Sequence, residues 1–378
     1  MKDWKIPFVN YPRAYQMIKP QIDEAIMACI SQGDLVYRHD LKKFEKSFAN
    51  FCDSKYCIGT GSCTNAMFIS LKAIGIGMGH EVITTSHTYI ATIDAIVATG
   101  ALPVLVDVNP RTMNMDVDAL EKAITPWTKA LIPVHLNGRC CDMDKIMPLA
   151  LEHNLFVIED AAQAVGAKQY QQKAGSFGNT GCFSFYPAKI LGCYGEGGAI
   201  VTDDDKLASL LYLMRDHGEW PPYLENQTRD EKKTIYGWGY NTILDNIQAA
   251  VLNVKLEFLE KKIRRRRQIA RMYDEAFFNI KALDLPPAPT NWEYYDVFQN
   301  YVIRYSKRDL LEKYLNEHGI ETIASWKVPN HKQKGLKLNF KLPETERISM
   351  EVLSLSMYPE LTDEEVLHVI GVIRRYFS

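Results

Sequence analysis

Between about residue 55 and residue 202 short apolar runs alternate with helix-like stretches, and that alternation leaves few folds open to the chain. The runs are Glu81 to Thr85, Leu102 to Val108, Ala130 to Val134, Leu155 to Glu159, Cys182 to Phe185 and Ala199 to Thr202. Between them lie Ala91 to Ala98, Asp116 to Ile124 and Asp144 to Glu152, each rich in helix formers and opened by small or polar residues. Strands this apolar need cover on both faces, and intervening helices provide it, so the pattern predicts an α/β domain around a parallel sheet.

Beyond this region the pattern changes. Leu244 to Phe278 reads as one long helix, with Leu244, Ile247, Val251, Leu256, Leu259 and Ile263 at roughly helical intervals. It contains the basic run Lys261-Lys262-Ile263-Arg264-Arg265-Arg266-Arg267, read as a solvated helix face rather than a nucleic-acid patch, because the whole chain carries a formal net charge of only -2. A proline-rich connection, Leu285 to Thr290, follows, and after it a smaller α+β unit: a strand-like Val297 to Tyr305, a helix from Lys307 to His318 and a last helix from Asp363 to Tyr376. Thr362-Asp363-Glu364-Glu365 has the form of a helix entrance. The eight cysteines lack the paired short spacings of a zinc site and read as small core residues. The N-terminus lacks a secretory signal, and no apolar run is long enough to span a bilayer, so a reduced cytoplasmic setting is expected, with neither metal, membrane nor nucleic acid as partner.

Several residues are candidates for chemistry. Lys189 follows the aromatic run Phe183-Ser184-Phe185-Tyr186-Pro187 and precedes Gly192-Cys193-Tyr194-Gly195-Glu196-Gly197-Gly198, glycines that let backbone pass close to a ligand. A lysine there, its pKa lowered by burial, is suited to attack an aldehyde and to shuttle a proton. Asp160 closes an apolar run, and ligands of open α/β sheets gather beyond the carboxyl ends of strands. It can keep a pyridine nitrogen protonated, or with Glu159 merely cap the next helix. Ser62-Cys63-Thr64-Asn65 opens a helix-like segment, which suits a phosphate or is an ordinary cap. Tyr89 offers a ring face to a planar cofactor or to packing. His87, His135 and His217 read as structural.

These motifs resemble the DegT/DnrJ/EryC1/StrS sugar aminotransferases, fold type I pyridoxal-phosphate enzymes, and the likeness covers nearly the whole chain. It is carried by Gly79 to Ile83 with Thr88-Tyr89-Ile90-Ala91-Thr92, by Thr128 to Leu136, by Ile158-Glu159-Asp160-Ala161-Ala162-Gln163, by the Lys189 segment, and by Gly239-Tyr240-Asn241 with Ile247-Gln248-Ala249-Ala250. The resemblance implies a large domain over residues 1–255 with a mostly parallel central sheet, and a small α+β domain over 256–378. It implies that Lys189 forms an imine with pyridoxal 5'-phosphate, that Asp160 pairs with the pyridine nitrogen, that Gln163 contacts the ring hydroxyl and that Tyr89 stacks on the ring. Ser184 and the Cys63-Thr64 backbone, with the Thr64 hydroxyl, would hold the phosphate. Asn241 would reach it from the neighbouring subunit of a homodimer.

The implied reaction is transamination of a nucleotide-linked keto-sugar with L-glutamate as donor. The Phe185-Tyr186-Pro187-Ala188-Lys189 segment and Tyr89 resemble members acting at C3 of the sugar; action at C4 and a non-catalytic regulatory role are the alternatives. Two departures stand out. Cys63-Thr64 replaces the usual Gly-Thr, and Asn241-Thr242-Ile243-Leu244-Asp245 replaces Asn-Ser-Arg-Leu-Asp. Ile243 cannot form a charged pair, which points away from a sugar bearing a carboxylate.

Overall fold

The computed structural model describes residues 4–36, 39–219, 234–288 and 292–378. Met1 to Asp3, and Pro289 and Thr290 of the proline-rich connection, lie outside the described residues. In chain order the strands are β1 (Tyr56–Thr60), β2 (Glu81–Thr85), β3 (Leu102–Val106), β4 (Thr128–Leu131), β5 (Phe156–Asp160), β6 (Lys168–Gln169), β7 (Gln172–Lys173), β8 (Thr180–Ser184), β9 (Gly198–Thr202), β10 (Tyr294–Tyr295), β11 (Tyr301–Arg304) and β12 (Val352–Leu355). Seven of them form the main sheet, in the order β1-β9-β8-β5-β4-β2-β3. Neighbours from β8 to β3 are parallel, whereas β9 runs antiparallel to both β8 and β1. The sheet is therefore mostly parallel with one reversed strand.

Side chains of a strand alternate between its faces, and here each face finds helices. Cys57, Phe183, Ala199 and Val201 join one core, while Ile58, Cys182 and Ile200 join the other. The first core is closed by the helix His39–Cys52, which buries Leu41, Phe44, Phe48, Ala49 and Cys52 on one stripe. Phe48 meets Phe183 and Phe185 edge-on at 5.1 and 5.2 Å. Burying each such ring is worth about 2–3 kcal/mol. The helices Cys63–Ala73 and Ala91–Ala98 cover the second core. All eight cysteines are buried and unpaired, as small core residues.

A two-stranded sheet pairs β11 with β12; the helix Arg308–Glu317 packs on β12, and the last helix, Asp363–Phe377, shares their core. The last helix opens with a capping box: the Thr362 hydroxyl accepts from Glu365 N–H at 3.2 Å, and the Glu365 carboxylate accepts from Thr362 N–H at 2.9 Å. Two expectations need correction. The predicted long helix is two, Asn246–Glu257 and Leu259–Phe277, broken at Phe258 (φ -97°, ψ -3°) with neither glycine nor proline at the break. The basic run is a solvated face only in part: Lys261 and Arg264 are exposed, but Arg266 and Arg267 are buried and Lys262 partly so. Their donors satisfy backbone carbonyls of other segments, which no local pattern announces: Arg266 those of Phe298, Gln299 and Met357, and Arg267 that of Asp296. No helix among the described residues is long and apolar enough to cross a membrane.

Candidate active site

Because β1, β2, β4, β5 and β8 point the same way, their carboxyl ends meet at one edge of the sheet. There β5 ends at Asp160, and β8 ends at Ser184 ahead of the Lys189 loop. β1 ends at Thr60 and passes through Gly61 and Ser62 into the helix Cys63–Ala73, and β2 leads into Ser86 to Tyr89. The reversed strand β9 brings its first residue, Gly198, to the same edge, paired with Thr60 on one side and Ser184 on the other. A Cβ at Gly198 would lie 2.4 Å from the Ser62 carbonyl carbon and 2.5 Å from Cys63 N. Only glycine lets the helix start sit so close to the strand.

That helix start leaves donors free. The Ser62 hydroxyl accepts from Asn65 N–H at 3.1 Å and its carbonyl from Ala66 N–H at 3.0 Å, while the N–H groups of Cys63 and Thr64 have no acceptor among the described residues. Two unsatisfied N–H groups at the positive end of a helix fit a phosphate. Ser184 lies beside Gly198, its hydroxyl accepting from Tyr186 N–H at 3.3 Å.

Glu159 and Asp160 turn opposite ways. Glu159, fully buried, accepts from the N–H groups of Gly175, Phe177 and Gly178, each at 2.7 Å, and pairs with His135 at 2.7 Å. Asp160, 5% exposed, accepts from the Thr92 hydroxyl at 2.7 Å on one oxygen and from Ala162 N–H at 3.1 Å on the other. Each oxygen keeps a lone pair, and the carboxylate fits a protonated ring nitrogen. Burial lowers the Lys189 pKa, with Asp160 and then Cys63 opposing it. Burial likewise drives the Cys63 thiol well above its ordinary value, with Asp160 adding and Lys189 opposing. Lys189, Asp160 and Cys63 thus act on one another electrostatically. The Lys189 amine has no hydrogen-bond partner among the described residues, and a partly buried amine of lowered pKa fits an aldehyde.

The remaining predicted residues are placed differently. Gln163 accepts from Asn137 N–H at 2.8 Å through its side-chain oxygen, which leaves its NH₂ as the free end. Tyr89 is 64% exposed in the single chain, and Asn241 is exposed beside Thr242, whose carbonyl accepts from Gly61 N–H at 2.8 Å. Neither shares a hydrogen bond with the other predicted site residues among those described. His135 is buried between Glu159 and Cys141 N–H, which donates to its Nδ1 at 2.9 Å. His87 packs on Trp326 with its pKa pushed down by burial to about 4, so it is neutral, and His217 is exposed.

Sequence reasoning assigned no role to Thr92 or Gln299. Thr92, three residues after Tyr89 in the first turn of a helix, is placed to fix Asp160. Gln299 gives its side-chain NH₂ to Ala188 C=O at 2.8 Å and accepts from Ile190 N–H at 2.9 Å, clamping the backbone on both sides of Lys189. Those bonds join residues more than a hundred positions apart, and only the fold reveals them.

Residues 16–374 match the model of the DegT/DnrJ/EryC1/StrS aminotransferase family. The chain is 38% identical to a pleiotropic regulatory protein of Geobacillus stearothermophilus, with 98% of each chain covered. It is 37% identical to a UDP-N-acetyl-3-dehydro-alpha-D-glucosamine 3-aminotransferase of Acidithiobacillus ferrooxidans, over 98% of this chain and 97% of that one. The crystal structure of S. venezuelae DesV in complex with a ketimine intermediate superposes with a TM-score of 0.92 at 36% identity, covering 99% of this chain and 98% of that one.

Proposed function

The chain belongs to the DegT/DnrJ/EryC1/StrS aminotransferase family and is a nucleotide-sugar aminotransferase; from that premise we propose that it binds pyridoxal 5'-phosphate at the sheet edge and moves the amino group of L-glutamate to C3 of a nucleotide-linked 3-keto-6-deoxyhexose. The observation that carries this reading is the meeting of Lys189, Asp160 and a helix start with two free N–H groups. When bound, the cofactor supplies an aldehyde for amino groups and a ring that withdraws electrons from the reacting carbon.

The protein's own groups do the rest. Cys63 and Thr64 N–H, with the Thr64 and Ser184 hydroxyls, hold the phosphate; Asp160 keeps the ring nitrogen protonated; Gln163 donates to the ring hydroxyl; and Tyr89 packs on the ring face. Lys189 Nζ takes the proton from the carbon that gives up the amino group and returns one to the sugar carbon that receives it. A lysine kept ammonium could not accept a proton, so the downward push of burial serves this step. Asn241, exposed on the single chain, reaches the phosphate in the partner subunit of a homodimer. Position C3 is supported by the Acidithiobacillus relative, whose name is that of a 3-aminotransferase. Ile243, bridged to Thr60 at the end of β1 and packed against the core, has no charge to pair with a carboxylate and so supports a sugar without one.

The test has two parts. Purified protein should absorb near the visible edge, and Lys189→Ala should lose both that band and all turnover; an active alanine variant sinks the reading. Paired 3-keto and 4-keto sugar nucleotides, with mass spectrometry and NMR of the product, then assign the position. Cofactor uptake with no turnover of any amino donor would match instead the regulatory role in the Geobacillus relative's name.

A further inference from the structure

Part of the basic run faces a cavity. About 590 Å³ of empty space, partly open to solvent, lies between Val9 and Tyr11 of the N-terminal segment, the loop Pro187–Tyr194, the two helices that meet at Phe258, and Tyr358 to Glu360. Its walls carry Lys189, Lys255, Lys262 and Arg266 against a single carboxylate, Glu360. Among the described residues none of Lys255, Lys262 and Arg266 has an ion-pair partner. Arg266, 5% exposed, spends one nitrogen on the carbonyls of Phe298, Gln299 and Met357 at 3.0, 3.2 and 2.6 Å, while its buried Nε–H finds no acceptor. Lys255 donates to Gly192 C=O at 2.6 Å and lies 3.8 Å from the centre of the Tyr194 ring, and the Lys262 side-chain amine has no hydrogen-bond partner among the described residues.

Cations withdrawn from water without counter-charge are costly. The strain registers as lowered pKa values, to about 8 for Lys255 and about 10 for Arg266, with burial the leading cause in both. An anion entering the cavity would offset that cost. Which anion belongs beside Lys189 follows from the chemistry of transamination. An amino acid donor bears its α-carboxylate on the very carbon whose amino group departs. In a nucleotide sugar the diphosphate is joined to C1, so its charge stands off from a carbonyl at C3 by the width of the ring.

We propose that this cavity is a carboxylate subsite that seats the amino donor, a small dicarboxylic amino acid, and the 2-oxo acid it becomes, with Lys255, Lys262 and Arg266 facing its carboxylates. The assignment deepens the transamination reading and rests on it for the identity of the ligand.

Succinate is a suitable probe, because it has both carboxylates and neither an amino nor an oxo group to react. In calorimetric titration of the cofactor-loaded protein, Lys262→Gln and Lys255→Gln should each weaken succinate binding by about tenfold or more, as expected for losing a charge-assisted contact. In steady-state assays the same variants should raise the KM for L-glutamate and leave the KM for the keto-sugar unchanged. Arg266 is left intact because its three carbonyl bonds support the fold, and melting curves confirm that the lysine variants are folded. Undiminished succinate affinity in both variants overturns the subsite while transamination itself stands. Lysine-dependent succinate binding in a protein that turns over no dicarboxylic donor overturns the donor assignment. Lysine-dependent binding of inorganic diphosphate without binding of succinate assigns the cavity to phosphate, and also overturns the proposal.

Discussion

Glu159 and Asp160 are adjacent acids with opposite fates, and the two-residue period of a strand is the reason. One carboxylate fastens a buried loop; the other stands at the sheet edge with Thr92 holding it. Asp160→Asn keeps the shape and removes the charge, so kcat should fall by about 10²-fold or more, while Thr92→Val, which removes the hydroxyl that holds Asp160 together with its contacts to Thr88 and Tyr89, should cost about tenfold. Equal, small losses in steady-state assays would count against an electrostatic role for Asp160. Lys255 gives a pH prediction with a definite sign. Its pKa is about 8 in the folded protein and near 10.4 in an unfolded chain, so between those values the unfolded state binds more protons and rising pH favours folding. The groups acting on it are Lys262, which pushes the same way, and Cys193 and Glu360, which oppose, beside the Tyr194 ring. In a carboxylate-free buffer, thermal melting should show a gain in stability above pH 8, and Lys255→Met should remove part of that gain. A melting profile identical in the two proteins would contradict it. Lys189 and Asp160 are legible in the sequence because each closes or follows an apolar run that must be a strand. The setting of Lys255 is not, since its neighbours in space come from positions 192–194, 262 and 360.

At the scale of elements, the helix Cys63–Ala73 and strand β9 form one device. The strand supplies a glycine, and the helix can then present its first N–H groups where β1 and β8 end. Gly198→Ala should therefore weaken cofactor binding by about tenfold while most of the fold survives, because backbone rather than a flexible side chain must give way. Absorbance titration of the protein with pyridoxal 5'-phosphate measures the loss, and unchanged affinity would mean that the helix start does not hold the phosphate. The helix itself is readable from Ser62-Cys63-Thr64-Asn65, a local capping signal. Strand β1, five residues from Tyr56 to Thr60, is weakly marked by its one interior apolar pair, Cys57 and Ile58, and its place beside β9 is a long-range pairing. The break at Phe258 escapes the eye for a related reason. The apolar period continues through it, and Phe258 packs against Ile18 and Ile22, far away in sequence, as well as Val251.

At the scale of the molecule, a single chain leaves Tyr89 and Asn241 exposed although both are assigned to the site. The proposed homodimer, with Asn241 exchanged between subunits, would account for the exposure of Asn241, and it predicts complementation. Lys189→Ala and Asn241→Ala, each impaired alone, should on subunit exchange form mixed dimers with one intact site, giving about a quarter of wild-type activity at random assortment. No recovery, in mixtures shown by mass spectrometry to have exchanged, would place Asn241 outside the shared site. The broad architecture was readable because strand and helix alternate so regularly, whereas the clamp of Gln299 on the Lys189 loop depends on how residues near position 299 return to the sheet edge. The reversal of β9 has one more consequence. Because Ser184 and Gly198 face each other across the β8–β9 register, the segment between them closes on itself like a ring of fixed circumference, and Lys189 is a mark on that ring. An insertion or deletion anywhere along it would move the mark. A change of length at the far end of β9, near Asp203, would leave the ring intact, so the chain's tolerance for altered spacing should fall abruptly on crossing this one strand.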